Sequence, residues 1–151
     1  PARHPGQQLT TIAPSEPEHL LAIDLQEAQG YARQNLNRRV AEQLAGLYSY
    51  TVLRDGRPVA VLGVLKLWDN RALAWTFIGR DAGPSMAIIH RFVKEALDLL
   101  PFRRVEADTP CDFEAGHRWL KMLGFNLEAE RMEAYLPEGG DSSLYARVRH
   151  V

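Results

Sequence analysis

The chain has 151 residues, a formal net charge of -1 and one cysteine. That length makes one domain with a sizeable core, and the charge balance excludes the overall basic field that draws nucleic acid or an anionic membrane. The lone Cys111 excludes an internal disulfide and fits a reducing compartment. No stretch is apolar for long enough to span a membrane, and no secretory signal is visible. A start at Pro1-Ala2 suits a cytoplasmic protein that has lost its initiator Met. The basic clusters (Arg38-Arg39, Arg103-Arg104, 147–150) are short and read as solvated faces.

Residues 1–8 are polar and read as a flexible arm, leaving 9–151 as a single domain. Residues 9–13 form a strand candidate that Pro14 ends. Ser15-Glu16-Pro17-Glu18 has the composition of a helix start, with Ser15 as its cap. That helix carries His19, Leu20, Leu21, Ile23 and Leu25 to about Ala28, and Gly30 breaks it. A second helix is expected over 35–44. Residues 47–54 are β-branched and aromatic, and Asp55-Gly56 signals a hairpin. The next strand, 59–67, is apolar at nearly every position, which suggests burial on both faces. A turn at Trp68-Asp69-Asn70-Arg71 leads to a third strand over 72–78.

That strand runs through Gly79 into a corner, Arg80-Asp81-Ala82-Gly83-Pro84-Ser85, and then into a helix over 86–100. Met86, Ile89, Phe92, Val93, Ala96, Leu97 and Leu100 recur at three- and four-residue spacing and share one face. A strand–glycine–helix corner either reverses the chain or binds phosphate through free N–H groups and the helix dipole. Pro101 stops the helix, 103–107 alternates as a fourth strand, and 108–112 is a loop. A further amphipathic helix spans 113–123, with Phe113, Leu120 and Leu123 inward and Gly124 as a left-handed cap. Two last strands, 126–135 and 142–148, flank a hairpin loop at Pro137-Glu138-Gly139-Gly140-Asp141.

The element order is β-α-α-β-β-β-α-β-α-β-β, and with it the chain resembles the GNAT superfamily of acyl-CoA-dependent N-acyltransferases. Arg80-Asp81-Ala82-Gly83-Pro84-Ser85 is similar to that family's Gln/Arg-x-x-Gly-x-Gly/Ala corner, and Met122-Leu123-Gly124-Phe125 to the Leu-Gly-Phe that ends its second long helix. The Glu/Gly/Asp hairpin followed by Leu144-Tyr145-Ala146-Arg147-Val148 resembles small GNAT-like proteins of bacteriophages. The resemblance implies an α/β (α+β) fold: a mixed, mostly antiparallel sheet of six or seven strands with about four helices. It also implies acetyl-CoA or another acyl-CoA as cofactor, cradled by Arg80, Asp81, Ala82, Gly83, Ser85 and Met86. Pro84 removes one N–H from that cradle, and Asp81 brings a negative charge to it.

The family reaction needs a base for the attacking amine and an acid for the leaving thiolate. The family's usual tyrosine acid falls at Leu120 and its usual helix-starting Asn at Phe113, so neither group is present. His117 is a replacement acid or a solvent-facing helix residue. Glu106 and Asp108 are candidate bases or plain strand acids, and Cys111 is a nucleophile or a loop thiol. The histidines show no metal-ligand spacing, so no metal is expected. Trp68, Trp75 and Trp119 read as core or rim packing. The partner is an unknown acyl acceptor, or a protein met through residues 31–47 and the Trp68 edge, with neither nucleic acid nor membrane expected. Three functions stay open: an N-acyltransferase; a degenerate GNAT-fold pseudoenzyme in a homo-oligomer, phage virion or host-takeover assembly; and an acyl-CoA-binding regulatory module.

Overall fold

The structure, a computed structural model, describes residues 9–150; the expected arm at 1–8 lies outside the described residues. Seven strands form one sheet in the order β1-β2-β3-β4-β5-β7-β6. The strands are β1 Thr10–Pro14, β2 Ser49–Arg54, β3 Arg57–Trp68, β4 Arg71–Ile78, β5 Arg104–Pro110, β6 Asn126–Met132 and β7 Ser142–Val148. Helices α1 Pro17–Ala22, α2 Gly30–Arg33 and α3 Arg38–Leu44 precede β2, α4 Met86–Leu99 follows β4, and α5 Glu114–Met122 follows β5. All strand pairs are antiparallel except β4 with β5.

The apolar stripe places α4 as its spacing predicts. Ile89, Val93 and Leu97 are buried in one cluster with Phe102, Val105, Ala107, Leu120 of α5, and Leu123 and Phe125 just beyond it. Each such side chain contributes about 1.5–3 kcal/mol on burial. A second core, Leu20, Ile23, Leu25, Ala41 and Val61, lies under α1 and α3. The Asp55-Gly56 turn has φ of 50° and 80°, as a tight hairpin requires, and Gly124 has φ 91°.

The N-terminal third departs from expectation. The helix expected to run to Ala28 ends at Ala22, because Leu25 bridges to Gly79 in an antiparallel pair. Gly30 begins α2 instead of ending a helix. Glu16, not Ser15, caps α1 through a reciprocal bond with His19, while Ser15 Oγ bonds the Thr51 hydroxyl at 3.0 Å. The loop expected from Asp108 is strand as far as Pro110, since β5 pairs with β7 over that length. The strand expected through Tyr135 stops at Met132. β3 is buried on both faces only at Val59–Leu62; its far half, with Leu65, Leu67 and Trp68, is exposed.

The feature that positions a site is a split in the sheet. β4 and β5 pair only from Arg71–Arg104 to Leu73–Glu106 and then part. No helix among the described residues is long and apolar enough to cross a membrane.

Candidate active site

The split opens a cavity of about 380 Å³. Ala74 to Ile78 of β4 form one wall and Ala107 to Pro110 of β5 the other; Val93, Leu97, Trp119 and Leu120 form the floor. The lining is mostly apolar because alternate residues of β4 and β5 and the inner face of α4 already belong to the core. At its mouth stand Asp108, Tyr31 and Tyr135. A wider trough adjoins it, sharing Gln26, Tyr31, Pro110, Phe113, Leu136 and Pro137. The trough carries Glu27, Asp112, Glu138 and Asp141 against one cation, Arg131, which is bonded to Asp141.

The two strand acids fare differently. Glu106, 5% exposed, is gripped by Arg71 and by Arg104. The Arg71 guanidinium, more than anything else, holds its carboxyl below the usual range. A carboxylate so engaged is a weaker base than a free one, and Glu106 does not line the cavity. Asp108 does line it. Loss of water around its carboxyl raises its pKa, against the pull of a bond from Ser142 Oγ to Oδ2 at 3.1 Å. Ser142 also reaches the Thr109 carbonyl at 2.8 Å, so its one proton serves two acceptors. Tyr31 and Tyr135 are shifted upward, first by desolvation and then by the charge of Asp108. Both phenols therefore keep their protons at neutral pH.

His117 is bound on both sides. Nε2 meets the Cys111 carbonyl at 2.9 Å, and since a carbonyl only accepts, Nε2 carries the hydrogen. In the neutral ring Nδ1 then accepts from the Tyr145 hydroxyl at 2.7 Å. These two bonds hold His117 between Cys111 and β7, outside the cavity lining. The Cys111 thiol sits by the Glu130 carbonyl at 3.5 Å and Ser143 Oγ at 3.4 Å. Leu120 is 8% exposed and closes the cavity floor, so the position of the family's acid is apolar in space as in sequence. Sequence does not single out Tyr31 or Tyr135 as candidates; Tyr31 lies on α2 and Tyr135 in the loop after β6, and only the fold brings them to the same cavity as Asp108.

At the corner, most of the expected donors are already used. Arg80 N–H donates to the Asp24 carbonyl at 2.8 Å, Ala82 N–H to Gly79 at 3.1 Å, and Ser85 N–H to Ala82 at 2.8 Å. Met86 N–H bonds the Gly83 carbonyl, and Pro84 has no N–H. The cradle is thus reduced to the N–H groups of Asp81 and Gly83. The charge of Asp81 is offset by Arg54 at 3.4 Å and Arg57 at 3.3 Å, which leaves one cation in excess. Arg54, 7% exposed, has a buried Nε with no hydrogen-bond partner. Gly83 faces open space. The residues therefore fit an acyl-CoA unequally: the cavity suits an apolar acyl arm, and the corner offers a phosphate two N–H groups and a net positive charge.

No family model and no curated protein matches the sequence. Solved structures match over nearly the whole chain. Ard1 from Thermoplasma volcanium superposes with a TM-score of 0.72 at 14% identity, over 94% of this chain and 99% of that one. The ribosomal-protein-S18-alanine N-acetyltransferase of Escherichia coli gives 0.71 at 15% identity, over 95% and 96%. A GNAT-family acetyltransferase from Streptococcus pneumoniae gives 0.65 at 12% identity, over 94% and 100%. The chain has the GNAT fold, as the sequence resemblance implies.

Proposed function

We propose that this GNAT-fold protein transfers an acyl group from acyl-CoA to an amine, with the acyl arm in the β4–β5 cavity and the amine arriving along the acidic trough. One observation carries the reading: Asp108, its pKa raised by desolvation, lines the apolar cavity with Tyr31 and Tyr135, two residues before Pro110, which borders both the cavity and the acidic trough. Bound acyl-CoA supplies the activated thioester. The chain's own residues do the rest. Val93, Leu97 and Leu120 keep water from the inner cavity. Glu27, Asp112 and Glu138 favour a cationic acceptor. The Asp108 carboxylate takes a proton from that acceptor, through Oδ1 or an intervening water, while Ser142 steadies Oδ2. A phenol of Tyr31 or Tyr135 holds the proton that Leu120 cannot supply.

The test is acyl transfer to a panel of amines, read by mass spectrometry and thiol release. Transfer by the wild type, reduced by about 10²–10⁴-fold in Asp108→Asn, supports the reading, since that is the usual loss on removing a general base. A second reading, binding or assembly without turnover, is favoured by Phe113 and Leu120 at the positions where the family keeps polar groups. Exposed Leu47, Leu65, Leu67 and Trp68 would be its partner surface. Acyl-CoA binding with no transfer to any amine selects that second reading.

A further inference from the structure

Past Leu73, the edge of β4 that faces β5 has lost its neighbouring strand. Such an edge leaves N–H and C=O groups to be satisfied by something else. Here a side chain does it. Ile78 N–H donates to Gln29 Oε1 at 2.7 Å, and Gln29 Nε2 donates to the Thr76 carbonyl at 2.7 Å. A backbone N–H only donates and a carbonyl only accepts, so the chemistry fixes the orientation of this carboxamide. One amide group therefore meets a donor and an acceptor two residues apart, as a strand laid along β4 would.

Past Ile78 the edge is closed by main chain. Gln26 N–H donates to the Ile78 carbonyl at 2.8 Å, and Arg80 N–H to the Asp24 carbonyl at 2.8 Å. Gln29 thus sits at the boundary between the closed end of the edge and the open cavity, which it helps to line. Its hold on the backbone is local: it ends a three-residue 3-10 turn, Glu27–Gln29.

We infer that Gln29 is a displaceable plug, its carboxamide standing in for the amide of an extended ligand that pairs with β4 at Thr76 and Ile78. The ligand chemistry is a chain bearing secondary amides, which adds to a strand edge through main-chain-like bonds. The inference rests on the reading that the cavity takes an acyl-CoA, whose arm carries such amides beside its thiol end. Exchange of one amide for another on these backbone partners also releases the bond from Gln26 Nε2 to Gln29 Oε1 at 3.3 Å, and both freed side chains find water. The plug keeps the edge satisfied when no ligand is present and sets a cost that every amide-bearing ligand must meet.

The experiment compares wild type, Gln29→Ala and Gln29→Met, the latter keeping side-chain length without an amide. Binding is measured by calorimetry for three probes: coenzyme A, acetylated pantetheine, and the nucleotide half of coenzyme A. Amide exchange at Ile78 is read in parallel as a fold control. The expected result is roughly 5- to 30-fold tighter binding of the two arm-bearing probes by both variants, the loss of one or two competing hydrogen bonds. The nucleotide half should bind all three proteins equally. Ile78 should exchange faster in both variants and regain protection with acetylated pantetheine. Unchanged or weaker binding of the arm by both variants overturns the inference. If the wild type transfers acyl groups yet neither variant binds more tightly, the plug falls and the enzyme reading survives. If the variants bind the arm more tightly while none of the proteins transfers, the plug stands and the enzyme reading falls. Failure of all three proteins to bind either arm-bearing probe overturns both.

Discussion

Glu106 and Asp108 are two positions apart on one strand, so alternation sends both side chains to the same side of β5. Their fates are set by what the fold brings to each: two arginines to Glu106, and to Asp108, whose side chain still reaches solvent, a half-shared serine hydroxyl and, among the described residues, no cation. Sequence names both as candidate bases and cannot choose, because Arg71, Arg104 and Ser142 come from elsewhere in the chain. The two acids should answer oppositely to pH. Glu106 is held below its ordinary value, so its ion pair stabilises fully above about pH 4.3, the ordinary glutamate pKa, and that contribution is lost as pH falls through the lower folded value. Glu106→Gln should cost about 2–3 kcal/mol at pH 7 by urea melting. That is less than the ~3–5 of a fully buried pair, since both arginines keep some water. The gap from wild type should narrow as pH falls below about 4; a gap that stays constant to pH 2 would show that the charge is not the cause. Asp108 is held above its ordinary value, so any favourable share of stability it gives is present in acid and fades as pH rises through its folded pKa. As a base it works only when ionised. The transfer rate should therefore climb with pH across that same titration, and Asp108→Asn should flatten the climb.

At the scale of elements, α4, the β2–β3 hairpin and the end of α5 were legible because their signals are local: a stripe at helical spacing, Asp55-Gly56, and Gly124 before Phe125. The segment after α1 was not legible. Ile23 and Leu25 continue an apolar helical pattern, yet the chain leaves the helix there because Asp24–Gln26 closes the edge of β4. A pairing with residues more than fifty positions away outweighs a weak local preference. Glycines at two elements make a matched test. At Gly116 on α5, a Cβ would collide with Thr109 Oγ1 and come within 2.9 Å of Phe113, so the helix packs on β5 only without a side chain there. Gly116→Ala should destabilise by about 1–3 kcal/mol, the usual range for overpacking. At Gly83 a Cβ meets nothing within 4 Å. Gly83→Ala should leave the melting temperature unchanged, and any loss of acyl-CoA affinity there would come from the ligand's approach to the corner. Equal melting temperatures for the two variants would contradict the packing of α5 described above.

At the scale of the molecule, a sheet that begins as one and splits after three residue pairs accounts for both halves of the site. The split exposes an apolar interior between α4 and α5. It also sets the β5 terminus, with Asp108, beside α2, which carries Tyr31, and the loop after β6, which carries Tyr135. The sequence resemblance supplied the fold, and the corner motif pointed to Arg80, Asp81, Ala82, Gly83, Ser85 and Met86. It could not show that most of those amides are spent on the corner itself, nor that Gln29 covers the open edge. Hydrogen-bond assignments of this kind depend on approach in space, which no spacing rule encodes. The central claim is that the β4–β5 cavity is where the acyl arm binds. Titration of acetyl-CoA into isotope-labelled protein, followed by backbone amide shifts, tests it directly. Saturable shifts at Thr76, Ile78 and Ala107 to Thr109 are expected, with smaller ones at Asp81 and Gly83. Shifts confined to residues outside the two facing strands, or none at millimolar acetyl-CoA, would contradict it.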